Sequence, residues 1–353
     1  MKALGEHQGQ KCVVCFGEIM MRLSPPGHLR FHQTGSFDVQ YGGGEANVAV
    51  GLANFGVPSR YLTRLPDNAL GRACAMFLSR YGVDVSHILW GGDRLGLYFL
   101  ETGAMQRASR VVYDRNESSL ATISPGMIDW DEALKGAGWF HWTGITPAVS
   151  RGAAETCLEG LNKARALGLV ISCDLNYRAK LWNWGKGAGE VMQELVGLSD
   201  VAVGNEEDAE KVFNIRAPES DVTVGEVPAD KYRKVAEELI RKFPNLKKVG
   251  ITLRGSLSAS HNTWSGIYFD GEFFCAAPVY QLTHIVDRVG AGDAFAAGLI
   301  HGLLTTPDQP QRIIDFAVAA SCLKHSVFGD FNAVGTGEVE KLITGDASGR
   351  VVR

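Results

Sequence analysis

Short apolar runs alternate with longer amphipathic stretches along almost the whole chain, and this pattern most constrains the fold. Apolar β-type runs occupy 12–17, 59–63, 85–89, 138–142, 169–174, 200–203 and 247–252. Helical periodicity occupies 45–55, 70–81, 151–167, 188–198, 206–213, 231–242, 293–304 and 310–326. Antiparallel neighbours can be joined by a tight turn, whereas parallel neighbours need a long crossover. Strands separated by helices of this length therefore predict an α/β fold with a mainly parallel sheet, covered by helices on both faces.

Two segments interrupt the alternation. Residues 18–41 contain Pro25-Pro26-Gly27 and short alternating runs. Residues 95–118, LGLYFLETGAMQRASRVVYDRNES, form two alternating halves around a polar, Gly-containing turn, which is a hairpin pattern. Together they predict a small β lid, contributed by about 18–41 and 95–118, protruding over the main sheet. Residues 214–230 form a polar, Pro-containing loop, and no clear linker divides the chain. A length of 353 residues gives a prior of roughly two domains, but a large α/β enzyme can hold it as one, and 1–353 is read as a single unit.

Composition excludes other classes. An apolar fraction of 45% and a charged fraction of 21% are those of a globular chain. Net charge is −4 with no basic stripe, which argues against a nucleic-acid partner. No run approaches the roughly 18 apolar residues of a membrane span. The start, MKALGEHQGQK, lacks the apolar stretch of a secretion signal and reads as a polar arm. The seven cysteines are scattered and lie mostly in apolar runs, as reduced core thiols of a cytoplasmic protein do. Cys12 and Cys15 sit in a strand pattern that points them to opposite faces, so they form no zinc site. Glycine stands out at 42 of 353 residues, about 12% against a usual value of about 7%. Tight turns, or backbone approaching a ligand closely, would account for the excess.

Familiar catalytic signatures fail. The lone Gly185-Lys186 pair lacks the upstream glycine of a P-loop, and HExxH and GxSxG are absent. Neither Gly42-Gly43-Gly44 nor Gly290-Ala291-Gly292 completes GxGxxG. The most informative segment is Val286–Gly298, where a Gly-rich turn runs straight into a helical stretch. The amides of Gly290, Ala291 and Gly292 would project from a helix N-terminus and bind an anion. Asp293 stands beside them. A carboxylate next to such a pocket is what phosphoryl transfer to an alcohol requires, with the amides holding charge and the carboxylate taking the hydroxyl proton.

DRVGAGDAFAAG resembles the C-terminal signature of the ribokinase-like (PfkB) carbohydrate kinases, usually DTxGAGDxF. Gly42-Gly43-Gly44-Glu45-Ala46-Asn47-Val48-Ala49, continuing to Leu52 and Gly56, resembles their N-terminal signature. Gly204-Asn205-Glu206-Glu207-Asp208 resembles the family's NxxE motif near magnesium. The three occur in the family's order, so the resemblance spans nearly the whole chain. It implies a ribokinase-like three-layer sandwich with a β lid, and ATP and Mg²⁺ as cofactors. Three departures are visible: Arg288 where Thr is usual, Asp208 in place of the longer Glu, and a nucleotide loop 254–259 without its second glycine.

GLYFLETG, VVYDRNESSLA, GITPAVS and CDLNYRAKLW are most similar to the 2-keto-3-deoxygluconate kinases within this family. The resemblance implies that Gly43 and Asn47 contact sugar hydroxyls, that Tyr98 and Tyr113 cover the sugar, and that Arg115 and Arg178 bind its carboxylate. Arginine suits that last role because its planar fork of donors matches a carboxylate. Asn176, Arg178 and Asn205 would lie near the phosphates, and Asn205 and Asp208 near magnesium through water. Arg254 and Gly255 would line the nucleotide loop, and Asp330 would touch the substrate. Asp293 would be the general base, with Gly290, Ala291 and Gly292 holding the transferred group. A homo-oligomer assembled through the lid is expected. A fructokinase, a ketodeoxygalactonate-type kinase and a non-catalytic sugar-acid sensor stay open as alternatives.

Overall fold

The computed structural model describes residues 12–205, 207–217 and 228–345. The polar arm at the start, Glu206 and most of the loop expected over 214–230 lie outside the described residues. Six strands form the parallel part of the main sheet: β1 (Cys12–Phe16), β4 (Ser59–Leu62), β9 (Ala137–Thr143), β10 (Val170–Asp174), β11 (Val201–Asn205) and β12 (Lys248–Ser256). They lie in the order β4-β1-β9-β10-β11-β12. Antiparallel β13 (Asn262–Phe269) extends the sheet, and it pairs with β14 (Phe274–Ala276) and β15 (Tyr280–Leu282). This antiparallel edge goes beyond the sequence reading. The run NTWSGIYF is buried on both faces over most of its length and so shows no alternation.

Helices cover both faces. On one side pack α1 (Gly44–Asn54), α2 (Ala69–Ser79), α9 (Ala291–Thr305) and α10 (Pro310–Lys324). On the other pack α5 (Arg151–Ala166), α6 (Ala188–Gly197) and α8 (Ala229–Lys242). Strand β1 shows why both layers are needed: Val13 and Cys15 enter one core, Val14 and Phe16 the other. Cys12 and Cys15 accordingly face opposite sides, and all seven cysteines are free thiols. The three-layer expectation therefore holds.

Shorter helices are α3 (Trp130–Ala133), α4 (Ile145–Val149), α7 (Asp208–Phe213) and α11 (Thr336–Ile343). The strand expected over 85–89 is corrected. In its place Leu89–Trp90 (β6) pairs with Arg64–Leu65 (β5), apart from the main sheet. Asp84 turns the chain there: its carboxylate accepts from the amide and hydroxyl of Ser86 at 2.9 and 2.6 Å, and pairs with Arg60.

The interrupting segments form a second sheet. It consists of β2 (Met20–Ser24), β3 (Asp38–Gly42), β7 (Leu97–Glu101) and β8 (Arg110–Asp114), in the order β3-β2-β7-β8. β7 and β8 make the expected hairpin, with Tyr98 opposite Tyr113. Outer strand β8 is exposed along its length, including Val111, Val112 and Tyr113.

α9 and α10 touch at close range because glycines face the contact. A Cβ at Gly298 would stand 2.8 Å from Ala317 Cα, and one at Gly302 would stand 3.0 Å from Ile313 Cα. Backbone cannot yield as a flexible side chain does, so a large residue here must push the helices apart. Gly298→Leu is expected to destabilise the protein by about 1–3 kcal/mol, the usual cost of overpacking. Urea unfolding of both proteins measures it, and an unchanged midpoint would show that the helices separate freely.

Candidate active site

Parallel strands of an open α/β sheet offer ligands their carboxyl ends. A cavity of about 410 Å³ lies there, roofed by the lid sheet. Its wall brings together Gly43 and Asn47 at the start of α1, Tyr98, Tyr113 and Arg115 from the lid, and Asn176 and Arg178 after β10. Asn205 joins from the end of β11, Asp208 from the start of α7, Arg254 from β12, and Gly290, Ala291, Gly292, Asp293 and Asp330 from either side of the α9–α10 pair.

The turn before α9 is built as expected. Asp287 starts it by accepting from Val289 N at 3.0 Å. Gly290 has φ +83° and lies against the Asp330 carbonyl, so a side chain there meets both backbone strain and collision. The first-turn amides of a helix have no intrahelical acceptor and are open to a ligand. One of the three expected here is partly engaged: Ala291 N donates to the Arg288 carbonyl at 3.4 Å. Gly292 has no heavy atom within 4 Å of where its Cβ would lie, so any side chain there would extend into free space beside the amides.

Asp293 is buried, and its Oδ2 accepts from Asn47 Nδ2 at 2.6 Å. The two Gly-rich motifs thus meet at one carboxylate. Burial pushes Asp293 up to about 6; the Asn47 bond, Arg178 and Lys324 oppose this, while Asp330 adds to it. Asp174 and Asp208 stand nearby and are also held above the ordinary carboxylate range, chiefly by burial. Asp208 accepts from Tyr177 N at 3.1 Å and Asn205 N at 2.9 Å. Among the described residues no group of three or more His, Cys, Asp or Glu could cage a cation.

Four arginines reach the cavity, and their partners differ. Arg115 is buried and ion-paired with Glu18, so its charge is already met within the protein. Among the described residues Arg178 donates only to its neighbour's carbonyl, Tyr177 O, at 3.1 Å. Arg288 donates to the Ala259 carbonyl at 2.5 Å. Arg254 has a buried Nε with no hydrogen-bond partner. Among the described residues, the last three have no carboxylate in ion-pair contact. Such a wall suits a polyanion.

Three expectations change in detail. The loop expected over 254–259 is corrected: Arg254–Ser256 continue β12, and Gly255 pairs with Thr263 instead of lining the cavity. Its amide donates to Thr263 Oγ1 at 3.2 Å, which extends the ladder past the point where the sequence suggested a turn. Asp330 borders the cavity, but both its oxygens are occupied, Oδ1 by Arg22 at 2.9 Å and Oδ2 by the Tyr98 hydroxyl. Arg115, expected to meet a substrate carboxylate, meets Glu18.

Glu18, Arg22, Glu45 and Asp174 were missed as site residues. Glu18 and Asp174 carry the signal of an acid at or just beyond the end of a buried strand. Arg22 is fully buried in β2, pairing with Asp287 at 2.7 Å and Asp330 at 2.9 Å, and only its place in an apolar strand marks it. Glu45 accepts from Thr143 N, Thr143 Oγ1 and Thr146 Oγ1 at 3.1, 2.8 and 2.6 Å, binding α1 to β9 and α4. Burial pushes it up to about 7.

The model of the pfkB family of carbohydrate kinases matches residues 10–334. The chain belongs to this family. It is therefore a carbohydrate kinase, and its ribokinase-like fold is that of its relatives. A 2-dehydro-3-deoxygalactonokinase from Haloferax volcanii is 32% identical over 96% of this chain and 98% of its own. A 2-dehydro-3-deoxygluconokinase structure from Thermotoga maritima is 47% identical, with TM-score 0.90 over 95% of this chain and 100% of its own. A fructokinase with bound ATP from Xylella fastidiosa is 20% identical and shares the fold, with TM-score 0.74 over 96% of this chain and 99% of its own.

The three arginines without an ion-pair contact among the described residues yield a binding test for the kinase. Inorganic tripolyphosphate should raise the Tm, with the effect weakening as salt screens the charges. Arg254→Ala should weaken apparent affinity about tenfold or more, the loss of one charge-assisted bond of roughly 1.5–3 kcal/mol. Thermal-shift titration measures both, and equal affinity in the variant would remove Arg254 from the anion site.

Proposed function

We propose that this kinase transfers the γ-phosphoryl group of ATP to the terminal O6 hydroxyl of 2-keto-3-deoxygluconate, giving 2-keto-3-deoxy-6-phosphogluconate and ADP. The observation that carries the reading is the buried Asp293 carboxylate facing a cavity in which, among the described residues, Arg178, Arg254 and Arg288 make no ion-pair contact with a carboxylate. A triphosphate and a sugar acid supply the missing anions; a neutral sugar supplies fewer. The likeness to the Thermotoga maritima 2-dehydro-3-deoxygluconokinase supports the choice of acid. The Haloferax volcanii relative supports a second reading, the galactonate epimer as substrate.

In this reading the chain works as one unit, with the lid sheet closing over sugar and nucleotide and excluding water. Asn47 orients Asp293 through the 2.6 Å bond, and Asp293 accepts the O6 proton. O6 attacks the γ-phosphorus in line as the bond to the bridging oxygen breaks, and ADP leaves with that electron pair. The free amides of the α9 first turn hold the charge on the transferred group. Magnesium usually takes one or two carboxylates plus substrate phosphates. Asp174 and Asp208, with Asn205, fit that donor set, and a bound ion would neutralise phosphate charge. Arg178 would hold the sugar carboxylate, and Tyr98 and Tyr113 would roof the sugar. Exposed strand β8 would join a second copy through the lid, which light scattering decides by mass. The seven free thiols suit a cytoplasmic setting.

Asp293→Asn should lower turnover by about 10²–10⁴-fold while leaving ATP binding intact. In the wild type, kcat/KM should fall as pH drops below about 6, because Asp293 is then protonated and no longer a base. ADP release across pH checks both, and variant turnover within about threefold of wild type would remove the base assignment.

For Arg178→Ala, kcat/KM for ketodeoxygluconate should fall roughly 10- to 150-fold, and much less for fructose. Arg178→Lys should recover part of the loss, keeping charge without the fork. Equal proportional losses on both substrates would place Arg178 on the nucleotide. Running both epimeric acids in the same assay separates the two substrate readings.

A further inference from the structure

Lys324, the last residue of α10, is fully buried. A sealed ammonium is costly unless it finds acceptors and counter-charge, and an apolar residue would fill the same space without that cost. Lys324 Nζ donates to two backbone carbonyls, Asp287 O at 3.3 Å and Val327 O at 3.1 Å. Those carbonyls belong to the two segments that build the floor of the transfer site.

The first segment leads into the turn before α9. The second runs from the end of α10 to Asp330. They are already stitched together: Val286 N and Asp287 N donate to the His325 carbonyl at 2.8 and 3.3 Å. The Asp287 carboxylate accepts from Gly329 N at 3.2 Å. Gly290 rests against the Asp330 carbonyl, with no room for a Cβ between them. A shift of either strand of this floor therefore moves the amides of the α9 first turn.

Charge points the same way. Lys324 faces Asp287, Asp330 and Asp293, with Arg22 the other nearby cation and His325 beside it on the chain. Burial lowers its proton affinity and the three acids raise it again. Asp293 in turn faces Asn47 from α1, Asp174 and Arg178 from β10 and the loop after it, Asp330 from the loop after α10, and Lys324.

We infer that Lys324 is a positioning residue for phosphoryl transfer, an internal cation that clamps the segment entering the Gly290–Asp293 turn to the segment carrying Asp330. The inference rests on the reading of Asp293 and the α9 amides given above. The clamp acts on the amides and on Asp293 without touching either substrate. Its loss should therefore appear in turnover more than in substrate affinity.

The test compares wild type, Lys324→Met and Lys324→Gln by kcat, by KM for ATP and acceptor, and by the acid limb of kcat/KM. Lys324→Met keeps the apolar stem but ends one atom short, without charge or donor; Lys324→Gln keeps a donor without charge. In Lys324→Met, kcat should fall about 10- to 100-fold with each KM within about threefold. The acid limb should move to higher pH, because Asp293 loses a cation that favours its charged form. Ammonium chloride should restore part of kcat, filling the vacated position, whereas bulkier tetramethylammonium should not. Lys324→Gln should lie between the other two in kcat and share the shifted limb.

Folded variants with wild-type kcat and an unmoved acid limb would overturn the inference, as would a kcat loss that neither shifts the limb nor responds to ammonium. Should neither variant fold, ¹⁵N-lysine NMR of the wild type decides. A slowly exchanging ammonium signal at the pH of activity, perturbed when ATP binds, upholds the clamp, and its absence refutes it. Asp293→Asn separates the two readings. An active Asp293→Asn removes the base assignment itself, whereas an inactive one beside wild-type-like Lys324 variants removes only the clamp.

Discussion

In the proposed reaction Asp293 works as a base from a buried position, so it must be able to give up its proton near neutral pH. Burial alone opposes that, since it penalises the charged form. The fold answers with one short hydrogen bond, Asn47 Nδ2 to Asp293 Oδ2 at 2.6 Å, and with two cations at a distance, Arg178 and Lys324. Much of the surrounding architecture follows from keeping those groups in register. α1 must enter the site at its N-terminus, so Glu45 is sunk into the core and tied to Thr143 and Thr146. α9 must also present its N-terminus to the site, and Gly290 takes a left-handed turn over the Asp330 backbone to start it.

The lid is joined to this arrangement by charge as well as by an apolar seam, in which Met21 and Tyr41 enter the main core and Val289 packs against Met20, Tyr98 and Leu100. Arg22 from β2 and Tyr98 from β7 converge on Asp330, and Arg22 also holds Asp287. Removing one member of a buried set leaves the others uncompensated, which costs far more than an exposed pair is worth. The sheet that roofs the cavity therefore also steadies the turn beneath it. Arg115 follows this logic: it lines the cavity, but Glu18 holds it in place, so it shapes the wall, whereas Arg178 makes no ion-pair contact among the described residues.

How much of this was legible in the sequence depends on how local each signal is. The parallel strands and covering helices were readable because each is set by its own periodicity, and the Leu97–Asp114 hairpin because its alternation is intact. Gly43, Asn47, Gly290 and Asp293 were readable because two motifs announce them, though nothing local shows that Asn47 touches Asp293. β13 was lost because both its faces are buried, and 85–89 was misjudged because Asp84 and Ser86 form a turn inside an apolar stretch. Gly255 was misplaced because a strand can continue through glycine when its partner ladder persists. Arg22 and Lys324 escaped because a buried cation looks like a surface one until its distant acceptors are known.

Those distances along the chain bear on how the protein is made. Arg22 and Asp330 are 308 positions apart, and Asn47 and Asp293 are 246 apart. At a ribosomal pace of about 5–20 residues per second, Arg22 waits on the order of 15–60 s for Asp330 to be synthesised. Throughout that interval the nascent chain carries a guanidinium, destined to be buried, on a strand whose counter-charges do not yet exist. The N-terminal half can pair strands early, but the lid cannot seal and the site cannot assemble until translation is nearly finished. Loss of the last 30 or so residues would thus leave both Gly-rich motifs present but remove Asp330, a counter-charge of Arg22, exposing an unsealed, charged interior to chaperones and proteases.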